Sequence, residues 1–374
     1  MKIAVDISRA LEPHKSGIHV YQSNLFRSLM EIDSRHEFIP LFYGYQANHI
    51  INFMDKKVLS VHNRYLHRSI FLKDISDQVL IKKRIQGKAD ILHSTANFSI
   101  RGFEDITVLT IHDLIFMRDP KCYNDYHTKL MRHMVGRVKK IIAVSNATKN
   151  EILKEFPSLP EKKITVIYEG AREDCSRIEN KEKLVEFKNK FFGDANFEYI
   201  LFLGGFTSRK NILNIVRAYD YLVKKRNVRH KLVLIGKPLD AYEKTLALID
   251  ELGLKEFAVV KPNLPDQFLP YLLNAADVFV FPSLYEGFGL PVIEAMQCGC
   301  PCVISNSSAL QELFADSALT VDPSLPEDIG NGILKFLTDP LLREKYKELG
   351  FKKSRIFNWK KTAEATLRLY ESVI

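Results

Sequence analysis

The chain has 374 residues, 46% of them hydrophobic and 26% charged, the balance of a soluble globular protein with length enough for two domains. No apolar run is long enough to span a bilayer, and MKIAVDIS starts as a strand with no apolar segment behind Lys2, so no signal peptide is expected. The net charge is +9, and residues 1–172 carry all of the excess, with 27 Lys+Arg against 18 Asp+Glu, while 173–374 hold 27 of each; the two halves are expected to meet different partners.

Taken in order, Lys2–Ile7 reads as a buried strand ending near Asp6, followed by a loop to Ser16 and a helix from Gly17 to about Ile32 with Val20, Leu25, Leu29 and Ile32 near one face. Phe38–Tyr43 is a second strand. The stretch 56–88 interleaves cations with aromatics: Lys56, Lys57, Arg64, Tyr65, Arg68, Phe71, Lys73, Lys82, Lys83, Arg84 and Lys88. It has three readings. One is a solvated helix face. The second is an electrostatic contact with anionic lipid or a lipid-diphosphate acceptor. The third is nucleic-acid binding, disfavoured because no recognised nucleic-acid motif accompanies the charge. Short buried strands follow at Asp90–His93, Thr107–Ile111, Lys140–Val144 and Lys163–Ile167, with helices at 124–138 and 147–156. Ser145 is placed to cap the second of these. His112-Asp113 ends a strand, where binding residues of a parallel sheet belong; a histidine satisfied by a neighbour is the alternative.

Residues 173–197 are polar and charged and read as a hinge. The rhythm then restarts: strands at Tyr199–Leu203, Lys231–Ile235, Phe257–Val260, Val278–Phe281 and Pro301–Ser305, helices at Asn211–Arg226 and Tyr242–Leu252, and an amphipathic helical end over 340–374. This alternation predicts an α/β protein of two doubly wound parallel sheets, with a cleft between them at the strands' carboxyl ends. Of the five cysteines, Cys298, Cys300 and Cys302 have a C-x-C-x-C spacing that is no zinc pattern; reduced, buried thiols are expected, and with them the cytoplasm.

Two stretches carry chemistry. Leu203-Gly-Gly-Phe-Thr-Ser-Arg-Lys-Asn211 follows a strand, offers Gly204 and Gly205 for close backbone approach, and sets Arg209 beside Lys210. Two fixed cations stabilise a diphosphate more as it departs than before; a solvated pair beside a loop is the alternative. It is neither a Walker loop nor a dinucleotide fingerprint. Phe281–Pro301 then reads FPSLYEGFGLPVIEAMQCGCP: strand, glycine turn at Gly287 and Gly289, Pro291 in the first turn of a helix, and Gly299 as its stop. A helix N-terminus favours an anion, while Glu286 and Glu294 accept hydrogen bonds from hydroxyls. Hydroxyls beside a phosphate describe a nucleotide-sugar. No D-x-D triplet occurs in the chain, which favours catalysis without a metal ion.

The pattern E-G-F-G-L-P-x-x-E-A-M from Glu286, with seven residues between its glutamates, resembles the retaining glycosyltransferases of family 4, which have the two-domain GT-B fold; the G-x-x-x-x-R-K-N and T-I-H-D-L stretches resemble elements of the same family. The resemblance implies residues 1–172 as an acceptor-binding domain, a linker at 173–197, residues 198–355 as the nucleotide-sugar domain, and residues 356–374 crossing back onto the first. It implies Arg209 and Lys210 on the diphosphate. Glu286 would hold a sugar hydroxyl, with the backbone N–H groups of Gly287, Phe288, Gly289 and Leu290 around sugar and phosphate, and Glu294 the ribose. Gly205 would lie by the donor. Asn263 and Leu264, in Lys261-Pro-Asn-Leu264, would run beside the base. His112 would face the donor sugar, with Asp113 orienting its ring. Gly17 resembles the glycine of the family's first loop, although many members have two glycines where this chain has Ser16-Gly17; an N-cap role for Ser16 is the alternative.

The expected activity is therefore metal-independent, retaining transfer of a hexose from a nucleoside-diphosphate sugar to a glycan or lipid-linked acceptor in cell-surface polysaccharide synthesis. Overall resemblance to bacterial mannosyltransferases points to GDP-mannose, with UDP- and dTDP-sugars as alternatives, and no cofactor. The rivals are another GT-B enzyme, such as an epimerase or a phosphorylase, and a non-enzymatic sugar-nucleotide or membrane-surface binder. A peripheral place on the cytoplasmic membrane face goes with the lipid reading of 56–88.

Overall fold

The computed structural model describes residues 1–11, 16–33, 35–43, 59–61, 85–97, 101–118 and 125–373. Most of the basic stretch 56–88, apart from 59–61 and 85–88, lies outside them, and so do its three readings. The chain divides into two compact units, Met1–Gly170 with Asn358–Ile374, and Ala171–Phe357.

The first unit is built on a seven-stranded parallel sheet in the order β3-β2-β1-β4-β5-β6-β7: β1 Lys2–Asp6, β2 Glu37–Tyr43, β3 Leu59–Val61, β4 Ile91–Ser94, β5 Thr107–Ile111, β6 Lys140–Ala143 and β7 Ile164–Val166. The second holds six parallel strands in the order β10-β9-β8-β11-β12-β13: β8 Tyr199–Leu203, β9 Lys231–Ile235, β10 Ala258–Lys261, β11 Val278–Phe281, β12 Cys302–Ser305 and β13 Leu319–Val321. Central strands such as YILFL and VFVF are buried at every residue, as strands covered by helices on both faces must be. In both sheets the strand order reverses beside the first strand, between β1 and β4 and between β8 and β11. Loops diverge there and leave room for a ligand at the carboxyl ends.

Helix Gly17–Ile32 lies in the first unit with Tyr21, Leu25, Phe26 and Leu29 fully buried, and the last helix, Trp359–Glu371, packs against it. Trp359, Ala363, Thr366 and Tyr370 recur at helical spacing and are buried; Tyr370 Oη and His93 Nδ1 are 2.5 Å apart.

Residues 173–197, expected as a hinge, belong to the second unit and carry the helix Lys181–Phe192, capped by Asn180 and ended by Gly193 in the left-handed region. Its charged outer face hides the apolar period, yet Phe187 is buried and stacks with Phe191 and Tyr271. The chain passes between units at 170–171 and 357–358. Strand β13 was not foreseen; at three residues on the sheet edge it has almost no periodicity to read. Cys175, Cys298, Cys300 and Cys302 are free and buried.

Candidate active site

In the second unit the expected ligands gather at the switch point. The backbone after β8 passes so close to that after β9 that a Cβ on Gly236 would fall 1.8 Å from the Gly204 carbonyl oxygen, so only glycine fits at Gly236. The chain then makes a 3-10 turn, Ser208–Lys210, whose Ser208 N–H and Oγ–H both donate to Asp240 Oδ2, at 3.0 and 2.6 Å. Asn211 follows in the left-handed region, φ 62°, which asparagine tolerates better than most residues. Its Nδ2 donates to the carbonyls of Pro282, at 3.1 Å, and Pro323, at 2.6 Å, tying the turn to the loops after β11 and β13.

This fixes Arg209 and Lys210 against the loop after β11. Leu284 N–H donates to the Arg209 carbonyl, and Arg209 Nη1 donates to the Tyr285 carbonyl at 2.6 Å. The Glu286 carboxylate sits between the two cations, with Oε2 2.9 Å from Arg209 Nη1 and Oε1 2.6 Å from Lys210 Nζ, and Lys210 Nζ lies 4.4 Å from the centre of the Phe281 ring. Burial would raise the Glu286 pKa, but the charges and hydrogen bonds of Lys210 and Arg209 outweigh it and hold it down at about 2. Sequence reasoning assigned the cations to a diphosphate and Glu286 to a sugar; the structure joins all three in one cluster with net positive charge, the carboxylate buried and the two cations half-buried.

Beyond Glu286 the turn is shaped by Gly289, whose φ of 109° and whose Cα, so placed that a Cβ would be 2.5 Å from Leu310 Cδ2, both demand glycine. Phe288 turns its ring into the core against Phe314 and Phe357, so it can offer a ligand only its backbone. Helix Leu290–Gln297 begins here, and the positive end of its dipole lies beside the cation pair's loop. Glu294 on this helix is 7% exposed, and among the described residues no donor is hydrogen-bonded to its carboxyl. Burial pushes its pKa up to about 8, with Asp174 and Asp266 adding to the rise and Arg172 opposing it. Arg172 is itself bound to Asp174, at 2.6 Å, and to Asp266, at 3.4 Å. Asn263, φ 60°, and Leu264 lie after β10 on the same sheet edge, with Gly205 after β8.

Sequence reasoning missed the serines at and just beyond the end of β12. Ser305 Oγ donates to the Ser283 carbonyl at 2.6 Å, Ser307 Oγ to the Leu284 carbonyl at 3.3 Å, and Ser308 Oγ accepts from Glu286 N–H at 3.1 Å. Together they template the backbone of 283–286. Ser308 does so at φ 52°, a strained conformation for a serine. The only signal was the run Ser-Asn-Ser-Ser at the end of a strand.

In the first unit, Ser16 caps helix Gly17–Ile32, its Oγ accepting from His19 N–H at 3.2 Å, so Gly17 is the first helical residue. Ser145 caps helix Asn146–Glu155 in the same way. His112 stands at the end of β5, 9% exposed. The expectation that Asp113 orients its ring is corrected: Nδ1 lies 2.8 Å from Glu169 Oε1 and Nε2 2.9 Å from the Thr95 carbonyl oxygen, which occupies both ring nitrogens. Asp113 instead accepts from Ile115 N–H at the start of a short helix. Strand order explains the difference: β4 lies beside β5 and brings in Thr95, while Glu169 returns after β7.

Among the described residues, no group of three or more His, Cys, Asp or Glu is arranged to hold a metal ion, and no helix is long and apolar enough to cross a membrane. Known proteins resemble this chain over nearly its whole length. A family profile described as glycosyl transferases group 1 matches residues 185–353, and one described as glycosyltransferase family 4 matches residues 34–174. The O-antigen chain mannosyltransferase B of Escherichia coli is 30% identical over 97% of this chain and 98% of its own. Among solved structures, sucrose-phosphate synthase from Thermosynechococcus elongatus superposes with a TM-score of 0.79 at 17% identity, covering 100% of this chain and 98% of that one. HepE of Anabaena, solved with UDP and glucose, superposes with a TM-score of 0.76 at 16% identity, covering both chains in full. At such identities the likeness shows the fold alone, and that fold is GT-B.

Proposed function

The chain belongs to the family 4 glycosyltransferases, and from that premise we propose that it transfers mannose from GDP-mannose to a glycan or lipid-linked acceptor with retention of anomeric configuration. The observation that carries the reading is the Arg209–Glu286–Lys210 cluster at the β8/β11 switch point, beside a helix N-terminus. Two cations against one carboxylate leave positive charge for a diphosphate. That charge counts for more as the bond between the sugar and the β-phosphate breaks and negative charge builds on the leaving oxygen. The acceptor oxygen bonds to the anomeric carbon on the face the diphosphate leaves, and the departing phosphate oxygen takes the acceptor's proton. Glu286 holds a sugar hydroxyl while its pairing with Arg209 and Lys210 keeps it ionised; it is not a nucleophile. The backbone of Gly287–Leu290 surrounds sugar and phosphate. Glu294 accepts from the ribose hydroxyls, Gly205 approaches the donor, and Asn263 and Leu264 run beside the base. In the first unit His112 faces the donor sugar with both ring nitrogens already engaged by Glu169 and the Thr95 carbonyl, so its contribution is not a hydrogen bond from the ring. Arg209 and Lys210 supply the positive charge that a divalent ion supplies in other transferases.

The O-antigen mannosyltransferase supports mannose as the sugar and a polysaccharide as the product. The test is incubation of the protein with GDP-mannose, UDP-glucose and dTDP-rhamnose in the presence of glycan and lipid-diphosphate acceptors. Free nucleoside diphosphate and the product's anomeric configuration are followed by NMR. Release of GDP from GDP-mannose with an α-linked product is the expected result. Inversion at the anomeric carbon, an epimerised donor or a sugar phosphate as product refutes it.

A further inference from the structure

We propose that Glu169 is a positioning residue for His112, holding its ring as an imidazolium that donates from both nitrogens and so presenting a fixed cation, not a base, at the end of β5. The inference rests on the assignment of His112 to the donor sugar, but its chemistry lies wholly within the first unit. A backbone carbonyl can only accept, so the 2.9 Å contact with Thr95 requires a proton on Nε2. A carboxylate also accepts, so the 2.8 Å contact with Glu169 places a second proton on Nδ1. Glu169 is 4% exposed, and a carboxylate so deeply buried needs a charged partner.

Both acceptors are held in place. Thr95 Oγ1 donates to the Asp6 carbonyl and accepts from Gln22 Nε2 at 2.8 Å, while Gln22 Oε1 accepts from the N–H groups of Arg9 and Ala10. The residue before Glu169 is clasped by the last helix, where Thr362 Oγ1 donates to the Tyr168 carbonyl at 2.8 Å. The groups facing the ring agree with a charge on His112. Tyr21 meets it edge to face at 4.7 Å and stays a neutral phenol through burial. His93 on β4 is pushed down to about 3 by burial and by the neighbouring His112, so it is the neutral histidine of the pair. Burial alone would lower the His112 pKa, but Glu169 with the Thr95 carbonyl and Asp113 raises it above the ordinary value. An ordinary surface histidine near neutral pH is a switch; this one is locked in one state.

The test uses the full chain labelled with ¹⁵N-histidine, with the His112 signals assigned by comparison with His112→Asn. In the wild type both ring nitrogens should keep imidazolium shifts well above pH 6.5. In Glu169→Gln, which preserves shape and removes charge, His112 should lose a proton below about pH 6.5, the ordinary histidine value, because burial then outweighs the weaker support left from the Thr95 carbonyl and Asp113. The kcat/KM for glycosyl transfer in Glu169→Gln should be within about 3-fold of wild type at pH 5.5 and fall with each higher pH unit, whereas Glu169→Asp should recover most of the activity at pH 7.5. A neutral His112 in the wild type at pH 7, or the same titration in wild type and Glu169→Gln, overturns the proposal. So does an equal loss of activity at every pH, which is what a merely structural role gives. The ring titration needs no turnover, so it decides the Glu169 assignment even if the donor or reaction assigned above proves wrong.

Discussion

Glu294 offers the sharpest quantitative test of how the site grips a nucleotide. Its carboxyl titrates at about 8 in the protein, yet a ribose diol donating to it requires the ionised form. Binding must then remove a proton, and each pH unit below 8 weakens the nucleotide by about 1.4 kcal/mol, or tenfold. Between pH 9 and pH 6 the wild type should lose about 100-fold in affinity through this group alone. Glu294→Gln is nearly isosteric and does not titrate. At pH 9 it should bind more weakly than the wild type by about 1–3 kcal/mol, the value of hydrogen bonds to a buried charged acceptor. At pH 6 the cost of ionising the wild type offsets that advantage, and the two affinities should converge. Isothermal titration with a nucleoside diphosphate at pH 6, 7, 8 and 9 measures both curves, and the ligand's own phosphate ionisation cancels in their difference. Parallel curves, or a wild type that gains on the variant as pH falls, refute the ribose role. The same group makes an opposite statement about stability. Its folded pKa is raised, so its favourable contribution is complete below its unfolded value of 4.5 and is lost as pH rises through about 8. Glu294→Gln should therefore resist denaturant better than the wild type at pH 9 and not at pH 4.5.

Arg209→Ala should lower turnover more than donor affinity in steady-state and binding assays, because its charge matters most on the leaving diphosphate; an effect on affinity alone would place it in ground-state binding. The depressed Glu286 pKa of about 2 means that its pairing stabilises the fold above pH 4.5 and fades as pH falls toward 2, so acid denaturation of Glu286→Gln should start from a less stable protein and show a shallower pH dependence. Ser308→Gly keeps the left-handed backbone but removes the acceptor of Glu286 N–H. Thermal stability should change by no more than about 1 kcal/mol while kcat falls, and an unchanged kcat argues against the serine template. Gly236→Ala must move the Gly204 carbonyl, 1.8 Å from the new methyl position; a melting curve should show a loss of more than about 3 kcal/mol.

Local information carried far in this chain. Buried strands announced themselves as short apolar runs, Ser16 and Ser145 as caps, and the turn from Glu286 to Leu290 by its glycines and its proline, because such features depend on neighbours within a few residues. The family's motifs named the candidate site residues, down to Arg209, Lys210 and Glu294. What needed the folded chain was pairing across long stretches. Arg209 and Lys210 meet Glu286 some 76 residues away only because β8 and β11 are sheet neighbours. Glu169 displaces Asp113 as the partner of His112 because the strand order brings distant loops to one edge. Ser308 reaches Glu286 by a backbone angle no residue pattern announces, and the helix inside 173–197 hides behind its charged face. The opposite titration of two glutamates on one motif is the clearest instance. Glu286 is pulled toward 2 by two cations and Glu294 is pushed toward 8 by burial beside other carboxylates. Spacing along a chain names the groups, but desolvation and neighbouring charge, which set their protonation, exist only once the sheets have formed.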